Sequence, residues 1–170
     1  MGSKRIGMAR VKSLINENSN ALQVRKLVIK SITADATLAA EDSGKLIVLN
    51  AADAGSTAVT VTLPAATGSG QHYKIMVGTV SAMTAGYKVQ VTGDDTMDGV
   101  VMTLADGGNT VLGFETAAAS DTFTMDGTTT GGVSIGDFIE LIDIASNQWA
   151  ISGQTTSSGT EATPFSAAVG

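Results

Sequence analysis

The sequence predicts an all-β protein: a single β-sandwich or barrel-like body behind an extended N-terminal arm that contains a short helix. Three observations predict it. Short apolar stretches are separated by turn residues at intervals of roughly 8–12 residues, the rhythm of a sandwich or barrel. Threonine fills 22 of the 170 positions and glycine 20, and β-branched residues favour the pleated surface of a sheet. Charged residues are only 15% of the chain while apolar residues are 43%. That balance suits neither a helical bundle nor a disordered segment. A length of 170 residues fits one domain. It divides into an arm over residues 1–30, a β-rich body over 31–154 and a flexible tail over 155–170.

The elements follow in order. In the arm, Met8, Val11, Leu14 and Ile15 recur at helical spacing, with Arg10 and Lys12 on the polar side. A helix this short is marginal alone in water and needs a surface to dock on. The period then changes, and Val24, Leu27, Val28, Ile29 and Ile32 open a β-type region. Residues 45–50 form an apolar strand. Val59-Thr60-Val61-Thr62-Leu63 alternates strictly, as a half-buried strand does, and Pro64 ends it. After the turn Gly68-Ser69-Gly70 comes the strand Tyr73 to Val77, and after Ala85-Gly86 the strand Tyr87 to Thr92. Further strands are expected at Val100 to Leu104, Thr110 to Phe114 and Asp121 to Met125, the last closed by Asp126-Gly127. Phe138 to Ile144 and Gln148 to Ser152 flank the turn Ala145-Ser146-Asn147 and read as a hairpin. The chain beyond Thr155 is small and polar, with Phe165 as its one anchor.

Charge is unevenly spread over the net −6. Residues 1–30 hold seven basic side chains (Lys4, Arg5, Arg10, Lys12, Arg25, Lys26, Lys30) against the single acid Glu17, a net +6. Residues 94–170 hold eleven acids and no base. Such asymmetry marks a basic arm that touches an acidic partner. Between residues 54 and 93 charge is sparse, although free edge strands are normally guarded by it. This assigns Val59, Val61, Leu63 and Tyr73 to contacts between copies in a homo-oligomer.

Catalytic and metal chemistry find little material. The chain has no cysteine and one histidine, which excludes disulfides, thiolate zinc sites and multi-histidine centres. Asp94, Asp95 and Asp98 crowd a Gly/Asp turn. They lack EF-hand spacing and a downstream bidentate Glu, so a turn and a calcium site are both readings of this stretch. Asp137, Glu140 and Asp143 supply carboxylates, with no aromatic platform for a sugar and no nucleophile–base pair to complete them. His72 reads as a polar surface residue and Trp149 as a core or interface anchor. Gly68-Ser69-Gly70 is not a phosphate loop, because no Gly-Lys-Ser/Thr follows. The chain is expected not to be an enzyme and to need no cofactor. No apolar run approaches the roughly 18 residues of a membrane span. The basic arm has no aromatic residue to stack a base, and the acidic body repels phosphate, so no specific nucleic acid is expected.

The opening Met1-Gly2-Ser3-Lys4-Arg5-Ile6-Gly7-Met8-Ala9-Arg10 resembles the N-terminus of small virion structural proteins of tailed phages, especially those of marine cyanobacteria. Residues Asp42-Ser43-Gly44-Lys45, Thr60 to Pro64 and Gly70 to Ile75 are similar to segments of phage decoration and fibre proteins. So are Asp126 to Gly132, Ile135-Gly136-Asp137 and Trp149. The resemblance implies a capsid decoration, or cement, protein: a β-rich homotrimer on the outside of the virion shell. On that reading Lys4, Arg5, Arg10 and Lys12 meet the major capsid protein. The alternative is a tail-fibre or receptor-binding module, although neither long repeats nor a coiled-coil stem is present.

Overall fold

The structure is a computed structural model, and it describes residues 10–13, 27–51, 57–79, 85–105 and 110–169. Among these residues twelve strands form two sheets. In chain order they are β1 (Ile29–Ile32), β2 (Ala36–Thr37), β3 (Leu46–Leu49), β4 (Val59–Thr62), β5 (His72–Val77) and β6 (Tyr87–Gln90). The second half adds β7 (Thr96–Leu104), β8 (Val111–Glu115), β9 (Thr122–Met125), β10 (Phe138–Ala145), β11 (Gln148–Thr156) and β12 (Phe165–Ser166). The all-β expectation holds, and the strands lie close to where alternation placed them.

The larger sheet has the order β1-β3-β5-β10-β11-β7-β8, and the smaller β12-β9-β6-β4-β2. The first six strands alternate between the two sheets. In the larger sheet β1 pairs in parallel with β3 and β3 with β5, and in the smaller β2 pairs in parallel with β4 and β4 with β6. The turn after β4 links the two sheets, and β4 and β5 are not partners. β10 and β11 do form the expected antiparallel hairpin. Asn147 takes φ 62 at its turn, a left-handed conformation that asparagine tolerates better than most side chains. The hairpin inserts between β5 and β7, and β11 runs parallel to β7 over nine paired positions, Gln148–Thr96 to Thr156–Leu104.

The inward faces of both sheets share one core. Ile47, Ile75, Ile139 and Val101 come from the larger sheet, and Val61, Val89 and Phe123 from the smaller. Trp149 lies at its centre, fully buried, with the Tyr73 ring 5.7 Å away in a tilted arrangement. Tyr87 ties the sheets by accepting the Ala51 N–H at 2.9 Å.

Two expectations are corrected here. Val59, Val61, Leu63 and Tyr73 are not contacts between copies. Their exposures are 8%, 0%, 0% and 0%, because they face the opposite sheet of their own chain. The residues that alternate with them on β4, Thr60 and Thr62, face outward. Nor are residues 155–169 a free tail. β11 runs to Thr156, β12 pairs with β9, and the Phe165 ring packs edge-on against Phe123 at 5.4 Å. Asp121 accepts the N–H groups of Ala168 and Val169. At the other end, Lys30 belongs to β1 and not to the arm, and it pairs with Asp42.

Candidate interaction face

The sandwich has two outer faces of different chemistry. On the smaller sheet the outward positions are Thr60, Thr62, Lys88, Gln90, Thr124 and Ser166, read from the register with the buried Val59, Val61, Val89 and Phe123. That is a polar, solvated face, as antiparallel and mixed sheets usually show on one side. On the larger sheet one outward row runs Val48, Met76, Phe138, Gln154, Met102 and Gly113 across five ladders. The neighbouring row runs Ile29, Leu46, Lys74, Glu140, Ser152, Val100 and Glu115. Val100, Met102, Val111, Ile135, Ile142 and Ile144 are all exposed.

The face carries Lys74 against the carboxylates Glu140, Asp98 and Glu115, and Lys74 pairs with the first of them. Lys74 Nζ donates to Glu140 at 2.8 Å and sits 4.0 Å from the centroid of the Phe138 ring. The Lys74 hydrogen bond holds the Glu140 carboxyl below its ordinary value, against a smaller upward push from burial. His72 Nε2 lies 3.9 Å from the other Glu140 oxygen and is half-exposed, as a surface residue should be. At the β7–β8 end a hollow of about 570 Å³ is lined by Met102, Leu104, Val111, Ile135, Phe138 and Gln154, among others.

The carboxylates singled out in the sequence are taken up by backbone. Asp143 is 1% exposed and accepts the N–H groups of Thr67, Gly68 and Ser69 and the hydroxyls of Thr67 and Ser69. Burial pushes its carboxyl up, and the donors from Ser69, Thr67 and Gly68 more than reverse this, holding it at about 2. Asp137 accepts the N–H groups of Gly132, Ser134 and Thr156 and the Thr156 hydroxyl; burial wins there and raises its carboxyl. Asp137 and Asp143 close turns, and Glu140 stands apart on the outer face. Asp94 is exposed, Asp95 is buried on the Ala66 N–H at 2.7 Å, and Asp98 points outward from β7. Among the described residues no three His, Asp or Glu side chains converge on a metal-sized space. In the strand-entrance turn the N–H groups of Gly68 and Ser69 are taken up by the Asp143 carboxylate.

Of the basic arm, Arg10 and Lys12 lie in residues 10–13, which are helical and exposed. Lys4 and Arg5 lie outside the described residues. Sequence reasoning missed the apolar outer face, yet a signal for it exists. Val100-Val101-Met102 and Ile139-Glu140-Leu141-Ile142 are apolar at both parities, the pattern of strands covered on both sides. β4, with Val-Thr-Val-Thr, is covered on one. Compared with family models, curated proteins and solved structures, the chain finds no match.

Proposed function

We propose that this chain is a virion structural protein that binds the outside of a phage capsid and stabilises it. The observation that carries the reading is the basic arm, +5 over residues 1–28, joined to a remainder of −11. Lys4, Arg5, Arg10 and Lys12 reach to acidic patches on the major capsid protein, and the β-body stays outside as a rigid cover. Stabilising a shell requires contact and no reaction. The carboxylates of the body fit that, since Asp42, Asp121, Asp137 and Asp143 each bind the chain's own donors. Many copies on one shell let modest contact energies accumulate through multivalency. Self-association, as a trimer or another small oligomer, belongs to the same reading.

The test is deletion of residues 2–20. The truncated chain is expected to fold, because all twelve strands lie beyond it, and to leave the capsid. Unchanged capsid occupancy overturns the role of the arm. A copy number far below that of the capsid protein would favour the tail-fibre or receptor-binding alternative.

A further inference from the structure

We infer that the free edge of β8 takes an extended segment of another protein, which adds to the larger sheet as an eighth strand. The inference goes beyond the capsid reading and does not depend on it. β8 ends the larger sheet. The Thr116 N–H donates to the Gly99 carbonyl, and the Ala105 N–H to the Thr110 carbonyl. Pairs that exchange hydrogen bonds alternate along an antiparallel ladder. Leu112 and Phe114 therefore turn their backbone groups toward β7, and Val111, Gly113 and Glu115 turn theirs to the open side. Sheet edges are normally blunted by shortness, lysine or proline. Among the described residues β2 and β12 are two residues long, and β1 carries Lys30. β8 has five residues, Val-Leu-Gly-Phe-Glu, with neither lysine nor proline. An open row of backbone donors and acceptors is matched by an extended chain, and strand addition is a recurring mode of peptide recognition.

The side chains along that edge give the segment its chemistry. Val111, Gly113 and Glu115 stand on the outer face, paired with Leu104, Met102 and Val100. Side chains of an added strand placed opposite them share that face. Opposite Val111 lies the rim of the hollow walled by Met102, Leu104 and Ile135, where an apolar side chain fits. Gly113 leaves a gap in the row. A Cβ there would meet only Met102 Sδ at 3.5 Å and Val100 Cγ1 at 3.8 Å, so a neighbouring side chain can lie across it. At the far end stand Glu115 and Asp98, and neither forms an ion pair among the described residues. Residues 94–170 hold no base, so the matching cation comes with the segment. Val111 and Glu115 are four residues, or about 13 Å, apart along the strand. The segment therefore carries an apolar residue and, four places from it, a lysine or arginine. Residues 10–13 of the chain's own arm are helical, not extended, which argues for a segment of another protein.

Residue-resolved hydrogen exchange of the full chain tests this, with the peptide Lys-Thr-Val-Thr-Leu-Thr-Val-Thr-Lys as probe. Its central leucine has a lysine four places away in both directions, so it fits the edge in either orientation. In the free chain the Val111, Gly113 and Glu115 amides are expected to exchange fast and those of Leu112 and Phe114 slowly. The peptide is expected to slow the first three at least tenfold. Glutamates in place of its lysines are expected to weaken binding at least tenfold, and Glu115→Lys to reverse that preference. Gly113→Pro removes an outward N–H at a position outside the left-handed region, so it keeps the fold, which a thermal melt verifies. It is expected to weaken binding at least tenfold. No slowing of the three amides at about 1 mM peptide, or equal binding by Gly113→Pro and by Glu115→Lys, overturns the inference. So does protection that appears without peptide. If it is lost on deletion of residues 2–20, the edge belongs to the chain's own arm, and if it grows with protein concentration, to a second copy.

Discussion

A single carboxylate can hold a turn that is remote in sequence. Asp143 comes from the end of β10, and the three N–H groups it accepts belong to residues 67–69, so it pins the entrance of β5 to the hairpin. Removing a charged acceptor leaves buried donors unpaired, a loss of about 2 kcal/mol. Asp143→Asn is therefore expected to lower stability by about 2 kcal/mol near neutral pH, read by urea unfolding. The pH dependence has a definite sign. The folded carboxyl, at about 2, lies below its ordinary 3.8. Its contribution is complete above about pH 4 and disappears as pH falls toward 2. The gap between wild type and variant should close over that window. A gap of equal size at pH 6 and pH 2.5 would reject the assignment. Burial raises the Asp137 carboxyl, so its contribution runs the other way: the folded state binds that proton more tightly, and acid favours it. Asp143 was visible in the sequence as a carboxylate near a strand end. Its role was not, because the donors lie 74 to 76 residues away.

Strands are the level at which the sequence was most legible. Patterning is local, so the alternation of Val59 to Leu63 and the apolar run Phe138 to Ile144 announced themselves, and the Asn147 turn announced a hairpin. Sheet membership is not local. Nothing within β4 states that its neighbours are β2 and β6, both parallel to it. The same limit explains why Val61 and Tyr73 read as contacts between copies: alternation shows that one side is covered, not by what. β12 was hidden for another reason. Two residues carry no period, and Phe165 stands in a stretch of Ser, Thr, Gly and Ala. Its burial against Phe123 makes it the bolt of that stretch. Phe165→Ala is expected to cost about 3 kcal/mol, at the low end for such truncations because the site is near an edge. Limited proteolysis should then cut between residues 157 and 169. A variant as stable and as resistant as the wild type would show that β12 only decorates the sheet.

Over the whole molecule two kinds of attachment separate by physics. The arm is cationic, and the outer face of the larger sheet exposes the apolar side chains Val100, Met102 and Ile142 among the charged Lys74, Glu140, Asp98 and Glu115. Salt distinguishes them. Exposed charges more than about 10 Å apart are largely screened at 0.1 M ionic strength, whereas burial of apolar surface is not weakened by salt. Reversing Arg10 and Lys12 together to Glu takes residues 1–28 from +5 to +1. Both residues are exposed and helical, so the body is untouched. Capsid binding by the Arg10→Glu/Lys12→Glu variant is expected to fall at least tenfold at low salt. The wild type should approach the variant as salt rises, because screening removes what the substitution removes. Attachment through apolar side chains such as Met102 and Ile142 should hold or strengthen over the same range. Capsid occupancy indifferent to salt would mean that the arm's charge is incidental, and that apolar side chains of the body do the attaching.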